Sequence, residues 1–190
     1  MKKRINFLFL TLFALSGIIL TSCEEKGYWL HDVLPFDINI IIEDADGNNL
    51  LNPEFDGNII DKITLTYNDE TYKIEKNKEN IVTRMLYSEF YGLRYFCSDT
   101  GRHFVTFGNF VGERNYKDEK ITIHWGDGTS DEVTFTNKVK GGSHTPKLDI
   151  TRTIKLNGKE VNADIDITSS NAQFEYHHEH PYGKAFVIVH

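Results

Sequence analysis

Ile121-Thr122-Ile123-His124-Trp125-Gly126-Asp127-Gly128-Thr129-Ser130-Asp131-Glu132-Val133-Thr134-Phe135 decides the fold. Ile121, Ile123 and Trp125 alternate with polar residues, which is the period of a half-buried strand. Gly126-Asp127-Gly128-Thr129 then supplies turn chemistry, and Val133 and Phe135 return with the same period. The same grammar extends in both directions. Downstream, Ile154-Lys155-Leu156 runs into Asn157-Gly158, the strongest short-range hairpin signal. Ile165 and Ile167 follow, then Phe174 to His178, a Pro181-Tyr182-Gly183 turn, and Ala185 to Val189. Upstream, Phe36, Ile38, Ile40 and Ile42 precede a turn at Asp44 to Asn48. Ile63, Leu65 and Tyr67 precede a turn at Asn68-Asp69, with Thr71 to Glu75 returning, and Phe104 to Phe107 forms a further strand. Between residues 80 and 95, Val82, Leu86, Phe90 and Leu93 carry helical spacing. Their partly aromatic and β-branched character also suits strands, and Gly92 to Cys97 reads as strand. About eight to ten short strands separated by turn residues predict an all-β, immunoglobulin-like antiparallel β-sandwich over residues 35–190.

The N-terminus reads differently. Lys2, Lys3 and Arg4 form a positive segment, and Ile5 to Leu20 is almost wholly apolar. That run has the length of a secretory signal core and is short for a membrane span of about 20 apolar residues. It ends in Leu20-Thr21-Ser22-Cys23, which resembles the lipobox of bacterial lipoproteins. The resemblance implies that residues 1–22 are a signal peptide, that Cys23 becomes the new N-terminus and carries acyl chains, and that residues 23–34 form a lipidated tether. A cleaved signal without lipid and an uncleaved helix are the competing readings. Glu24-Glu25-Lys26 resembles the short acidic stretch that marks surface-exposed lipoproteins of Bacteroidota. The expected location is therefore the outer membrane, lipid-anchored, at the cell surface, with a periplasm-facing orientation as the alternative.

The chain from Cys23 to His190 has 168 residues, enough for one domain with a sizeable core and no disulfide staples. Only Cys97 remains there besides the acylated Cys23, and its strand-like surroundings predict a buried, inert thiol. Loss of Lys2, Lys3 and Arg4 leaves 18 basic residues against 28 acidic ones, a charge of −10. Such a protein repels phosphate backbones, so nucleic acid is not an expected partner, and it should stand off from anionic lipid. Taken whole, the chain resembles small Bacteroidota lipoproteins with an immunoglobulin-like sandwich. The carriers are the lipobox, the opening strand before Asp46-Gly47, and the Ile121–Thr129 hairpin followed by Asp131. That hairpin also resembles the Gly-Asp-Gly turn of extracellular polycystic-kidney-disease-type domains, in which the turn is structural. The resemblance implies no chemistry.

Three groups of residues compete for a functional role. His178 and His180 lie two apart within Tyr176-His177-His178-Glu179-His180, so on a strand they share a face, and His190 would lie on the partner strand. Three imidazoles suit Zn²⁺ with an open fourth position, as in a metal-dependent enzyme. A polar edge strand explains them equally and is the reading preferred. Asp44-x-Asp46-x-Asn48 echoes a calcium loop, but Gly47 falls at position four and Phe55 at twelve, where such loops need Gly at six and Glu at twelve. A turn is expected instead. Aromatic residues make up 13% of the chain, and Tyr28, Trp29, Tyr87, Tyr91, Tyr95, Tyr116 and Tyr182 are candidates for an exposed sugar platform. No nucleophile motif or phosphate-binding fingerprint is present. The expected protein is thus a non-catalytic binding or assembly module without a cofactor. Its partners would be the membrane, through the anchor, and an envelope protein or glycan. A carbohydrate-binding module of a glycan-uptake system and a metal-binding protein using the His cluster are the alternatives.

Overall fold

The computed structural model describes residues 28, 30, 31, 33–74, 90, 92–98, 100–167 and 184–190. They form eleven strands: β1 (Phe36–Glu43), β2 (Thr64–Tyr67), β3 (Glu70–Lys73), β4 (Gly92–Cys97), β5 (His103–Phe110), β6 (Tyr116–His124), β7 (Ser130–Lys140), β8 (Asp149–Leu156), β9 (Lys159–Val161), β10 (Ile165–Asp166) and β11 (Lys184–Val189). One sheet has the order β10-β11-β1-β5-β4 and the other β3-β2-β6-β7-β8-β9. The fold is the all-β sandwich expected from the alternation of apolar residues. Among the described residues every pairing of strands is antiparallel except β1 with β11, which run parallel with Ile40 opposite Phe186 and Ile42 opposite Ile188.

The inner faces pack as the period-two pattern requires. Ile38, Ile40, Ile42, Phe107, Phe186 and Ile188 from the first sheet meet Leu65, Ile121, Ile123, Val133 and Phe135 from the second. Aromatic rings fill one end: Phe110 and Phe135 have centroids 4.6 Å apart, with Phe36 and Tyr116 edge-on to their neighbours. The far end is closed by the loop after β1, whose Leu50, Leu51 and Ile60 are buried in the same core. One side of the sandwich is also shut, where β3 meets β4. There Gly92 lies so close to Tyr72 that a Cβ would fall 2.9 Å from its ring.

Turn chemistry behaves as read. Asn157 and Gly158 both take positive φ, 49° and 79°, as the tight β8–β9 hairpin demands. Gly142, in the β7–β8 loop, does not take positive φ and has nothing within 4 Å of a Cβ. Gly158→Ala is therefore expected to cost about 1 kcal/mol, and Gly142→Ala to stay within about 0.5 kcal/mol of the parent. Urea unfolding of both variants checks the contrast; equal losses would mean that φ is not the cause.

Candidate functional site

The Gly-Asp-Gly turn serves structure. Trp125 is 2% exposed, and its Nε1–H donates to Asp131 Oδ2 at 3.0 Å. Asp131 Oδ1 accepts from Asn157 Nδ2 at 2.6 Å, so the two turns at this end are tied together. The His190 ring stacks on Trp125 with centroids 4.6 Å apart, and its Nε2 lies 3.3 Å from Asp127 Oδ2. The Thr129 hydroxyl first, and then the Thr129 N–H, hold the Asp127 carboxyl below the usual range. Of the three histidines singled out, His190 is thus placed against Trp125 and Asp127, while His178 and His180 lie outside the described residues. Phe174 to His178 lies outside them too. The antiparallel neighbour of β11 among the described residues is β10, with Ile165 opposite Ala185. Among the described residues no three His, Cys, Asp or Glu side chains gather as a metal site would require.

The calcium-like stretch is a turn closed on itself. Asp44 Oδ1 accepts the N–H groups of Asp46 and Asn48, and Oδ2 accepts Asn48 Nδ2 at 2.8 Å. These bonds, the Asn48 side chain foremost, pull the Asp44 carboxyl below its ordinary range. The aromatic platform is not assembled by the residues described. Tyr116 is buried, because the β6 bulge before Glu119 turns it into the core, and Tyr95 is half-buried against His103, bonding its Nδ1 at 2.6 Å. Tyr28 is exposed, and Trp29, Tyr87, Tyr91 and Tyr182 fall outside the described residues. Cys97 corrects an expectation. It is the last residue of β4, where the inward alternation no longer buries a side chain, and the thiol is exposed.

Sequence reasoning missed a cleft. On the side opposite the β3–β4 contact, the pairing of β11 with β1 among the described residues runs from Ile40 to Glu43. A cavity of about 270 Å³ opens there between the start of β1 and the β8–β9 segment. Its apolar wall is Phe36, Ile38, Ile154 and Val161; Asp37, Arg152, Glu160 and Lys184 bring charge of both signs to its rim. Arg152 is held in place: its guanidinium sits 4.5 Å over the Phe36 ring, and Nε donates to Asn137 Oδ1 at 2.9 Å. Asn137 is itself fully buried and donates to the carbonyls of Gly112 and Arg114. Asn39 donates to the Lys184 carbonyl at 3.1 Å and accepts from the Thr106 hydroxyl at 2.8 Å. Asp37 accepts the Asn109 N–H, across a β5 bulge in which Gly108 and Asn109 both have positive φ. Burial pushes the Asp37 carboxyl up to about 6, against the opposing pull of that hydrogen bond and of Arg94. The one local signal was Asp37 and Asn39 interrupting an otherwise apolar strand; Arg152 had none.

A cavity of this size is near the lower limit for small-molecule sites. Its mixed lining suits a small ligand, or one segment of a larger one, carrying both polar groups and an apolar face. Comparison with protein-family models, with curated proteins and with solved structures gave no match. Fold and cleft together define a class: an all-β sandwich with a lateral cleft of mixed charge.

Proposed function

We propose that this chain is a lipid-anchored, non-catalytic binding module of the bacterial envelope, tethered at the outer membrane through Cys23. The observation that carries the binding role is the cleft beside Phe36 to Asn39, whose Arg152 is held in place by Phe36 and Asn137. Preorganised donors of this kind reduce the ordering cost of association. The anchor rests on Leu20-Thr21-Ser22-Cys23.

Each half has its own test. Cys23→Ala should move the protein out of the membrane fraction; a variant that still pellets and resists carbonate washing would remove the anchor. For the cleft, Ala163→Trp places an indole into the cavity it lines. Pull-down from native envelopes should lose its specific partner or glycan with Ala163→Trp while the variant keeps parental unfolding behaviour. Undiminished capture would move the binding surface elsewhere.

A further inference from the structure

The side chains that line the cleft divide by strand geometry. Successive residues of a strand point to opposite faces of its sheet. On β8 and β9, Ile154 and Val161 lie opposite each other and pack on the core. Arg152, two residues before Ile154 and opposite the buried Asn137, shares that inward face. On β11, Phe186 is a core residue, so Lys184, two residues earlier, faces inward as well. Asn39 bonds the Lys184 carbonyl and so fixes this residue beside the start of β1. The acids fall on the other parity. Asp37 alternates with the core residues Phe36 and Ile38, and Glu160 precedes Val161, so both belong to outer faces. Of the charged residues that line the cleft, both cations thus point in and both acids point out. Asp166 is a further acid nearby: it lies opposite Lys184 across the β10–β11 pair, is exposed, and does not line the cavity.

We infer that the cleft holds a small amphipathic carboxylate, its apolar part against Phe36, Ile38, Ile154 and Val161 and its carboxylate on Arg152 and Lys184. The inference rests on the reading of the cleft as the binding surface. Three properties select this ligand class. A planar guanidinium matches a carboxylate through paired hydrogen bonds. That of Arg152 is held 4.5 Å over the Phe36 ring and by Asn137, which lowers the cost of ordering it around a ligand. The apolar wall adjoins this cation, so the ligand carries its charge and its apolar group within a few atoms of each other. The space of about 270 Å³ equals about nine water volumes at ~30 Å³ each, room for a chain or ring of about that many atoms. Charge points the same way. From Cys23 onward the chain carries −10, yet the inward charge of the cleft is positive. Asp166 at the mouth, with Asp37 and Glu160 on the outer faces, offsets part of it, which favours one negative charge on the ligand over two. Two sources share this chemistry: a free aliphatic or arylalkyl acid, and the C-terminus of a peptide ending in an apolar residue.

The test follows the methyl NMR signals of Ile38, Ile154 and Val161 in the processed chain carrying Cys23→Ala, a change outside the described residues. The probes are phenylpropionate, the equally shaped phenylpropionamide and phenylpropylamine, with acetylvaline and its amide for the peptide source. Each carboxylate should shift the three signals saturably and bind at least about tenfold more tightly than its amide. The amine should not bind. Acetylvaline binding more tightly than phenylpropionate assigns the peptide C-terminus, and the reverse assigns the free acid. Lys184→Gln, at an exposed position, should weaken the carboxylates severalfold and leave the amides unchanged. Ala163→Trp should abolish the shifts. The comparison of probes needs no variant to fold. Equal affinity for carboxylate and amide, or preference for the amine, overturns the carboxylate and leaves the cleft as a binding surface. Silence of every probe, with envelope capture still lost in Ala163→Trp, does the same. Carboxylates that bind without moving these methyl signals, in protein whose envelope capture ignores Ala163→Trp, remove the carboxylate and the cleft together.

Discussion

Trp125→Ala should destabilise the sandwich by about 3–5 kcal/mol, the range for removing a large buried aromatic side chain. In a domain of this length that corresponds to a fall in Tm on the order of 10 °C. Three losses act together. The indole is 2% exposed and belongs to the main core, so its removal leaves a cavity. Asp131 Oδ2 loses its donor, while Oδ1 keeps Asn157. His190 loses the ring against which it stacks, which loosens the end of β11. Trp125→Phe separates these contributions. It keeps most of the volume and loses the Nε1–H bond, so a smaller loss of about 1–2 kcal/mol is expected. Thermal and urea unfolding of both variants provide the measurement. A Trp125→Ala protein as stable as the parent would show that this end is not tied through the indole.

Asp37 should make stability fall as pH rises from about 4 to about 6. Its carboxyl is raised from 3.8 to about 6 in the folded protein, burial being the chief cause. Between those values the folded state keeps a proton that the unfolded chain releases. Folding is therefore favoured at the acid side of the window and loses stability as the carboxyl ionises. A shift of this size corresponds to about 3 kcal/mol as an upper figure, at 1.36 kcal/mol per pH unit. Above about 6 the contribution is constant. Asp37→Asn keeps the shape and an oxygen for the Asn109 N–H while removing the charge. It should be more stable than the parent at pH 7 by about 1–2 kcal/mol, less than the full figure because the attraction to Arg94 is lost as well. Its stability should also lack the fall between pH 4 and 6. Urea titrations at pH 4, 5, 6 and 7 decide the matter. A parent protein with flat stability across that window, or a variant with the same slope as the parent, would remove Asp37 as the responsible group.

What was legible in the sequence was local. Asn157-Gly158 and Gly126-Asp127-Gly128 announce turns because few residues take positive φ cheaply, and both stand where read. Ile121, Ile123, Val133 and Phe135 face inward because alternation and burial are the same geometric fact in a half-buried strand. The misreadings have equally local causes. Tyr116 is buried because Asp118, at φ 49°, shifts the register of β6 by a bulge that composition does not announce. Cys97 is exposed because a residue at a strand end escapes the alternation that governs its interior. Leu50, Leu51 and Ile60 reach the core from a loop with no period to reveal them. The cleft was out of reach for another reason: Phe36, Arg152 and Lys184 come together only through the order of the sheets.

The parallel pairing of β1 with β11 has a bearing on how the chain reaches its native state. Ile40 and Phe186 are neighbours in the sheet although nearly the whole domain separates them along the chain. Residues emerging from a ribosome or a translocation channel appear in order. The first strand of the sandwich must therefore wait for the last before its hydrogen bonds on that side are satisfied by native partners. Closing so long a loop is slow, and an edge rich in isoleucine stays available for wrong pairing in the meantime. The folding time of this protein is thus set less by the hairpins, each of which can form as soon as it appears, than by the arrival of seven residues, Lys184 to His190, long after β1 has emerged.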